Sequence, residues 1–203
     1  CLALNGHPKS PFYNRIKLYG NDYDGTFIPP LSQSTMIKRI VSFISVSSKE
    51  AENDRFRKRK ELKGYSGTKK LPFREFYATD DDSSISDCLF YYFSSIQPYF
   101  SSLWKYDTKS KPTNVLQSTV GFETLMKILK DILSIDNNIK FEKNAFDKYV
   151  NKFADLQLHD TNQFPMTTRG KKILYYSIFI KVFPDDASIE EKKRELESLH
   201  NAD

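Results

Sequence analysis

The sequence predicts an all-α fold, an irregular bundle of about seven helices around a central aromatic helix. Three observations carry this. First, Ile85–Trp104 is a long apolar stretch in which Ile85, Leu89, Phe93 and Ile96 recur three or four residues apart, with Phe100 and Leu103 continuing the stripe. That is a helix period, and strands alternate every second residue instead. Second, Val115–Leu133 shows the same spacing through Phe122, Leu125, Met126, Leu129 and Ile132. Third, the 203 residues include only 7 Gly, too few for a sandwich with many tight turns or for glycine-rich phosphate loops.

The elements follow in order. Ser10-Pro11 places a cap before a proline at the first helical position, so a short helix is expected over Phe12, Ile16 and Tyr19, ending at Gly20-Asn21. Asp22–Pro30 carries Asp-Gly and Pro-Pro punctuation and is expected to be a loop. Leu31–Ser45 is a second helix, capped by Ser32 or Ser34, with Met36, Ile37, Ile40, Val41 and Ile44 on one face. Lys49–Lys70 is expected to be an exposed helix end running into a mobile basic loop. The central helix is preceded by Asp80, Asp81 and Asp82, which suit a cap and the helix dipole. Pro98 is expected to bend it in its second half. A polar loop over Lys105–Asn114 leads to Val115–Leu133, with Ser118 or Thr119 as cap. Asn144–Leu156 presents Phe146, Val150 and Phe153 on one face. Lys171–Val182 is rich in β-formers, yet its length and its helical surroundings favour a helix. Ser188–His200 closes the chain, with a Ser188…Glu191 capping box and Glu190–Arg194 and Lys193–Glu197 as i,i+4 pairs.

The whole of 1–203 is expected to form one domain, long enough to bury a real core. The chain opens on Cys1, and the expectation is a C-terminal fragment of a longer protein. Cys1 and Cys88 are too few for a disulfide framework, which suits a reducing cytoplasm. No run of about 18 apolar residues marks a membrane span. His7, His159 and His200 are far apart, and no Cys-x-x-Cys or His-x-x-x-His spacing occurs, so no metal site and no cofactor is expected. No Gly-x-Ser-x-Gly or glycine-rich nucleotide motif is present, and no catalytic residue is assigned.

Charge is the informative feature. The net charge is +5. From Arg55 to Lys70, eight cations face the single acid Glu61: Arg55, Arg57, Lys58, Arg59, Lys60, Lys63, Lys69 and Lys70. Cations on flexible stems suit phosphate contact, which needs charge without strict geometry. Tyr65 among them could stack on a base. A second basic run, Arg169-Gly170-Lys171-Lys172, sits at a helix start, where cations oppose the dipole. The start of the Leu31–Ser45 helix, with its hydroxyls, Gln33, Lys38 and Arg39, also has the composition of a recognition helix.

Three stretches carry a family resemblance. S-P-F-Y-N-R-I-K-L-Y-G from Ser10, P-P-L-S-Q-S-T-M-I-K-R-I-V-S-F-I from Pro29 and V-L-Q-S-T-V-G-F-E-T-L-M-K-I-L from Val115 occur in this order. Together they resemble the helical part that follows the core of DGQHR-domain proteins, which include DndB-type proteins of DNA phosphorothioation islands and are distantly ParB-like. The Asp-Gly-Gln-His-Arg motif itself is absent, so none of its functional residues is carried to a position here. The resemblance implies a bacterial or phage protein of DNA modification, defence or its regulation. It also implies a binding or support domain rather than a complete enzyme. The expected partner is double-stranded DNA. The alternatives are a protein–protein interaction module, engaging a partner or a second copy, and a support domain for an active site lying upstream.

Overall fold

Aromatic rings around one helix organise the structure, a computed structural model that describes residues 1–21, 29–65, 67, 70–105 and 112–201. The chain is all-α, as predicted, with ten α-helical segments among the described residues. In chain order, α1 is Leu2–Gly6, α2 Gln33–Val41, α3 Ser48–Asp54, α4 Arg74–Ala78 and α5 Asp82–Ile96. These are followed by α6 Ser101–Trp104, α7 Thr119–Ile135, α8 Asp147–Val150, α9 Thr168–Val182 and α10 Ile189–Asn201. Short 3-10 turns lie at Arg59–Leu62, Val115–Gln117 and Asn151–Phe153.

The central helix α5 begins where its acids predict. The Asp81 carboxylate accepts from the Ser84 backbone N–H at 3.1 Å and from the Ser83 and Ser84 hydroxyls, contacts that hold its pKa below the usual carboxylate range. Tyr92 and Phe93 are fully enclosed. Tyr92 donates its hydroxyl to the Leu125 carbonyl of α7 at 3.0 Å, and its ring meets Phe146, just ahead of α8, at 5.4 Å. Phe93 packs edge-on against Phe12 at 4.6 Å, stacks with Phe122 of α7 at 5.9 Å and lies 6.2 Å from Trp104. One apolar cluster thereby runs from Leu4 to Phe183. Pro98 does more than bend the helix. It lacks an N–H and crowds the preceding turn, so α5 ends at Ile96 and helix resumes only at Ser101.

The short helix expected after Ser10 does not form. Asn14 adopts a left-handed φ of 54°, the Ile16 N–H is taken by the Asn5 side-chain oxygen at 2.8 Å, and Leu31 N–H bonds the Arg15 carbonyl. The chain therefore turns through 10–15 and pairs Ile16–Lys17 (β1) with Leu31–Ser32 (β2) in parallel. Most of the predicted Asp22–Pro30 loop, with Asp22 and Asp24, lies outside the described residues, as does most of Lys105–Asn114.

Lys171–Val182 is helical, as its length and surroundings predict. Its buried Leu174, Ile178 and Val182, with Tyr175 and Phe179 beside them, follow a helix period and pack between α7 and α10. The i,i+4 pairs anticipated on α10 give way to a Lys193–Glu190 pair at 2.8 Å, one residue closer.

The starts of α7 and α9 share one construction. Ser118 and Thr167 each cap the helix by accepting from the N–H of a glycine three residues on, Gly121 at 3.3 Å and Gly170 at 3.1 Å. A backbone carbonyl, of Val115 and of Pro165 respectively, lies against the glycine where a Cβ would sit. Gly121→Ala and Gly170→Ala are each expected to lower stability by about 1–3 kcal/mol through overpacking against backbone, read as a shift of the urea midpoint with unchanged slope. Burial raises the Cys88 thiol pKa well above its ordinary value. Native protein should therefore react with a thiol reagent at Cys1 and leave Cys88 unmodified until it unfolds.

Candidate nucleic-acid interface

The basic segment is anchored by a buried guanidinium that sequence reasoning did not assign. Arg74, on α4, is 6% exposed. Its Nη1 lies 3.1 Å from Asp54 Oδ2, 3.4 Å from Glu50 and 2.9 Å from the Ile44 carbonyl, while its Nε donates to the Leu62 carbonyl at 3.2 Å. Ser45 Oγ adds a bond to the same Asp54 oxygen at 3.3 Å. The end of α3 and the turn at Arg59–Leu62 are thus tied to α4, with Leu62 buried beneath them. A segment expected to be a loop is in this part built into the fold.

The predicted cations then divide. Arg59 is only partly exposed. It pairs with Asp82 at 2.8 Å and Asp80 at 3.2 Å and lies over the Tyr77 ring at 4.1 Å, and the Asp82 hydrogen bond raises its pKa. It fastens the basic turn to the acidic start of α5, which also accounts for Asp80 and Asp82. Arg57 is 3.5 Å from Asp54 and 3.9 Å from Glu61, and it donates to the Glu61 carbonyl. Arg55 reaches Glu52 at 3.9 Å and lies over the exposed Phe56 ring at 4.6 Å. Lys58, Lys60, Lys63 and Lys70 are exposed and form no ion pair among the described residues. Lys69 lies outside the described residues. Tyr65 is half-buried, with Arg74 5.1 Å from its ring. Exposed pairs such as Arg55–Glu52 are worth little, so Arg55 can exchange a carboxylate for a phosphate, whereas Arg57 is held by the buried Asp54 and Arg59 is committed to the fold.

The remaining sequence candidates are placed as follows. Ser32 caps α2 by accepting from Thr35 N–H, Gln33 accepts from Tyr19 N–H at 2.8 Å, and Arg39 is bonded to Glu123. The polar start of α2 is therefore engaged within the chain. Arg169 donates to the Leu199 carbonyl near the end of α10, and Lys171 pairs with Glu123 at 2.5 Å. No cluster of His, Cys, Asp and Glu suited to a metal ion occurs among the described residues, and no helix among them is long and apolar enough to cross a membrane. Sequence reasoning also missed the meeting of Arg39, Lys127, Lys130, Lys171 and Lys172 at one cleft between α2, α7 and α9. The available signal was Lys127 and Lys130 one turn apart on the polar edge of the α7 stripe.

No protein-family model, curated protein or solved structure matches the chain.

Arg74→Met is expected to destabilise by about 3–5 kcal/mol, because it leaves the Asp54 carboxylate buried without its cation. Lys58→Ala and Lys60→Ala should each stay within about 0.5 kcal/mol of the parent in the same urea titration.

Proposed function

We propose that this chain is a non-catalytic helical domain that contacts nucleic-acid phosphates, with double-stranded DNA as the partner. The observation that carries this reading is the set Lys58, Lys60, Lys63 and Lys70, exposed and without carboxylate partners among the described residues, on a segment braced by the buried Arg74. Cations on long stems meet phosphates without demanding one geometry, and each contact releases condensed counterions. Arg55 extends the same surface. The resemblance of Ser10–Gly20, Pro29–Ile44 and Val115–Leu129 to DGQHR-domain proteins supports a bacterial or phage setting in DNA modification, defence or its regulation.

Phe56 favours a second reading. It is 77% exposed amid the cations, and an aromatic ring among lysines also suits an acidic protein partner.

Fluorescence anisotropy with labelled duplex DNA tests the first reading. Binding at low salt should fall steeply as salt rises. Replacing Lys58, Lys60, Lys63 and Lys70 together by Ala should weaken it and flatten the slope of log K against log salt by roughly 0.9 for each phosphate contact removed. Absence of binding at low salt, or an unchanged slope in the variant, would remove DNA from the reading and leave the protein partner.

A further inference from the structure

We propose that the cleft between α2, α7 and α9 binds a terminal phosphomonoester, carried by a free mononucleotide or by the 5′ end of a nucleic-acid strand. Five cations line a cavity of about 200 Å³: Arg39 from α2, Lys127 and Lys130 from α7, and Lys171 and Lys172 from α9. Glu123 lines the cavity with them and takes Arg39 and Lys171 together, while Asp131 and Glu195 beside it accept the Tyr175 hydroxyl, at 2.9 Å, and the Tyr176 hydroxyl. Cations remain in excess.

The site is organised for an anion. Burial would raise the Glu123 pKa, yet hydrogen bonds from Lys171 and Arg39 keep it low, so a fixed carboxylate orients two cations. Lys130 is aimed by its bond to the Ser42 carbonyl. The Lys127 ammonium lies 3.4 Å from the centre of the Tyr175 ring. Desolvation first, with repulsion from Lys192 and Lys171 in addition, lowers its pKa against the pull of Asp131 and Glu195. An added anion would relieve that repulsion. Lys172 is exposed and forms no ion pair among the described residues.

A second, independent observation points the same way. Thr124 lines the cleft and is 1% exposed, and its Oγ1 is buried with no hydrogen-bond partner among the described residues. A buried hydroxyl left unsatisfied is costly, and donation to a phosphate oxygen would satisfy it.

Size and walls limit the ligand. The cavity is smaller than the roughly 300–1,000 Å³ of drug-sized pockets. It has room for a phosphate with one ring against Phe43, Tyr175 or Tyr176, and it excludes the side of a duplex. A terminal phosphate carries more charge than a backbone diester and can enter such a cleft end-on.

Isothermal titration calorimetry of the full chain tests this with adenosine 5′-monophosphate, adenosine, and a short single strand with and without a 5′-phosphate. The monophosphate should bind about tenfold or more tightly than adenosine, because charge-assisted hydrogen bonds are worth more than neutral ones. Lys172→Ala and Lys127→Met should each remove most of that advantage while leaving the thermal midpoint near the parent value. A 5′-phosphate advantage for the strand that Lys172→Ala abolishes would identify a strand end. Binding of the monophosphate without a strand advantage would identify a free mononucleotide. The proposal fails if neither phosphate confers an advantage, or if both variants bind as the parent does. The variant lacking Lys58, Lys60, Lys63 and Lys70 should retain monophosphate binding, so loss of the duplex reading leaves this one standing.

Discussion

Tyr92 and Phe93 impose the constraint on which the rest of the structure depends. Neither ring reaches water, and they are adjacent in sequence, so they project from neighbouring sides of α5. A helix buried on more than one side needs several partners at once. α1, α4 and α8 supply some of the cover, the turn before β1 supplies Phe12, and α7 supplies Phe122. The Tyr92 hydroxyl adds direction to this burial. It must find an acceptor, and its bond to the Leu125 carbonyl sets α7 at one height along α5. The irregularity of the bundle follows, since short pieces must close over an aromatic helix from different directions.

Buried charge does for the basic segment what rings do for the core. Arg74 brings the end of α3, the 59–62 turn and α4 to one point, and it satisfies two backbone carbonyls as well as Asp54. Arg59 repeats the device nearer the surface with Asp80 and Asp82. The aspartates before α5 thus have two roles: Asp81 caps the helix, and its neighbours hold the basic turn. The result is a segment with a braced inner edge and a lysine-bearing outer edge.

The cleft between α2, α7 and α9 rests on another principle. Like charges lie near each other there because helix packing, rather than mutual attraction, sets their positions. Glu123 makes this tolerable by bridging Arg39 and Lys171. The two basic regions differ in kind: one spreads exposed lysines along a surface segment, the other gathers cations around a cavity between helices.

Local signals settled much of this protein. The 3.6-residue spacing in Ile85–Ile96 and Thr119–Ile135, together with the capping groups of Ser118 and Asp81, determined those helices because periodic burial and orphan N–H groups are properties of a short stretch of chain, whereas Lys171–Val182, rich in β-formers, was legible only through its length and helical surroundings. The run Arg55–Lys70 was equally legible as charge. Only the tertiary structure decided which of those cations are committed, because the partners of Arg59 lie about 20 residues away in Asp80 and Asp82. It also decided the fate of Ser10–Tyr19, where helix propensity lost to the Asn5 side chain and the Leu31 backbone. The convergence of Arg39, Lys127 and Lys172 was decided in the same way. No local pattern encodes a meeting of three helices, for it exists only once α2 and α9 have packed against α7.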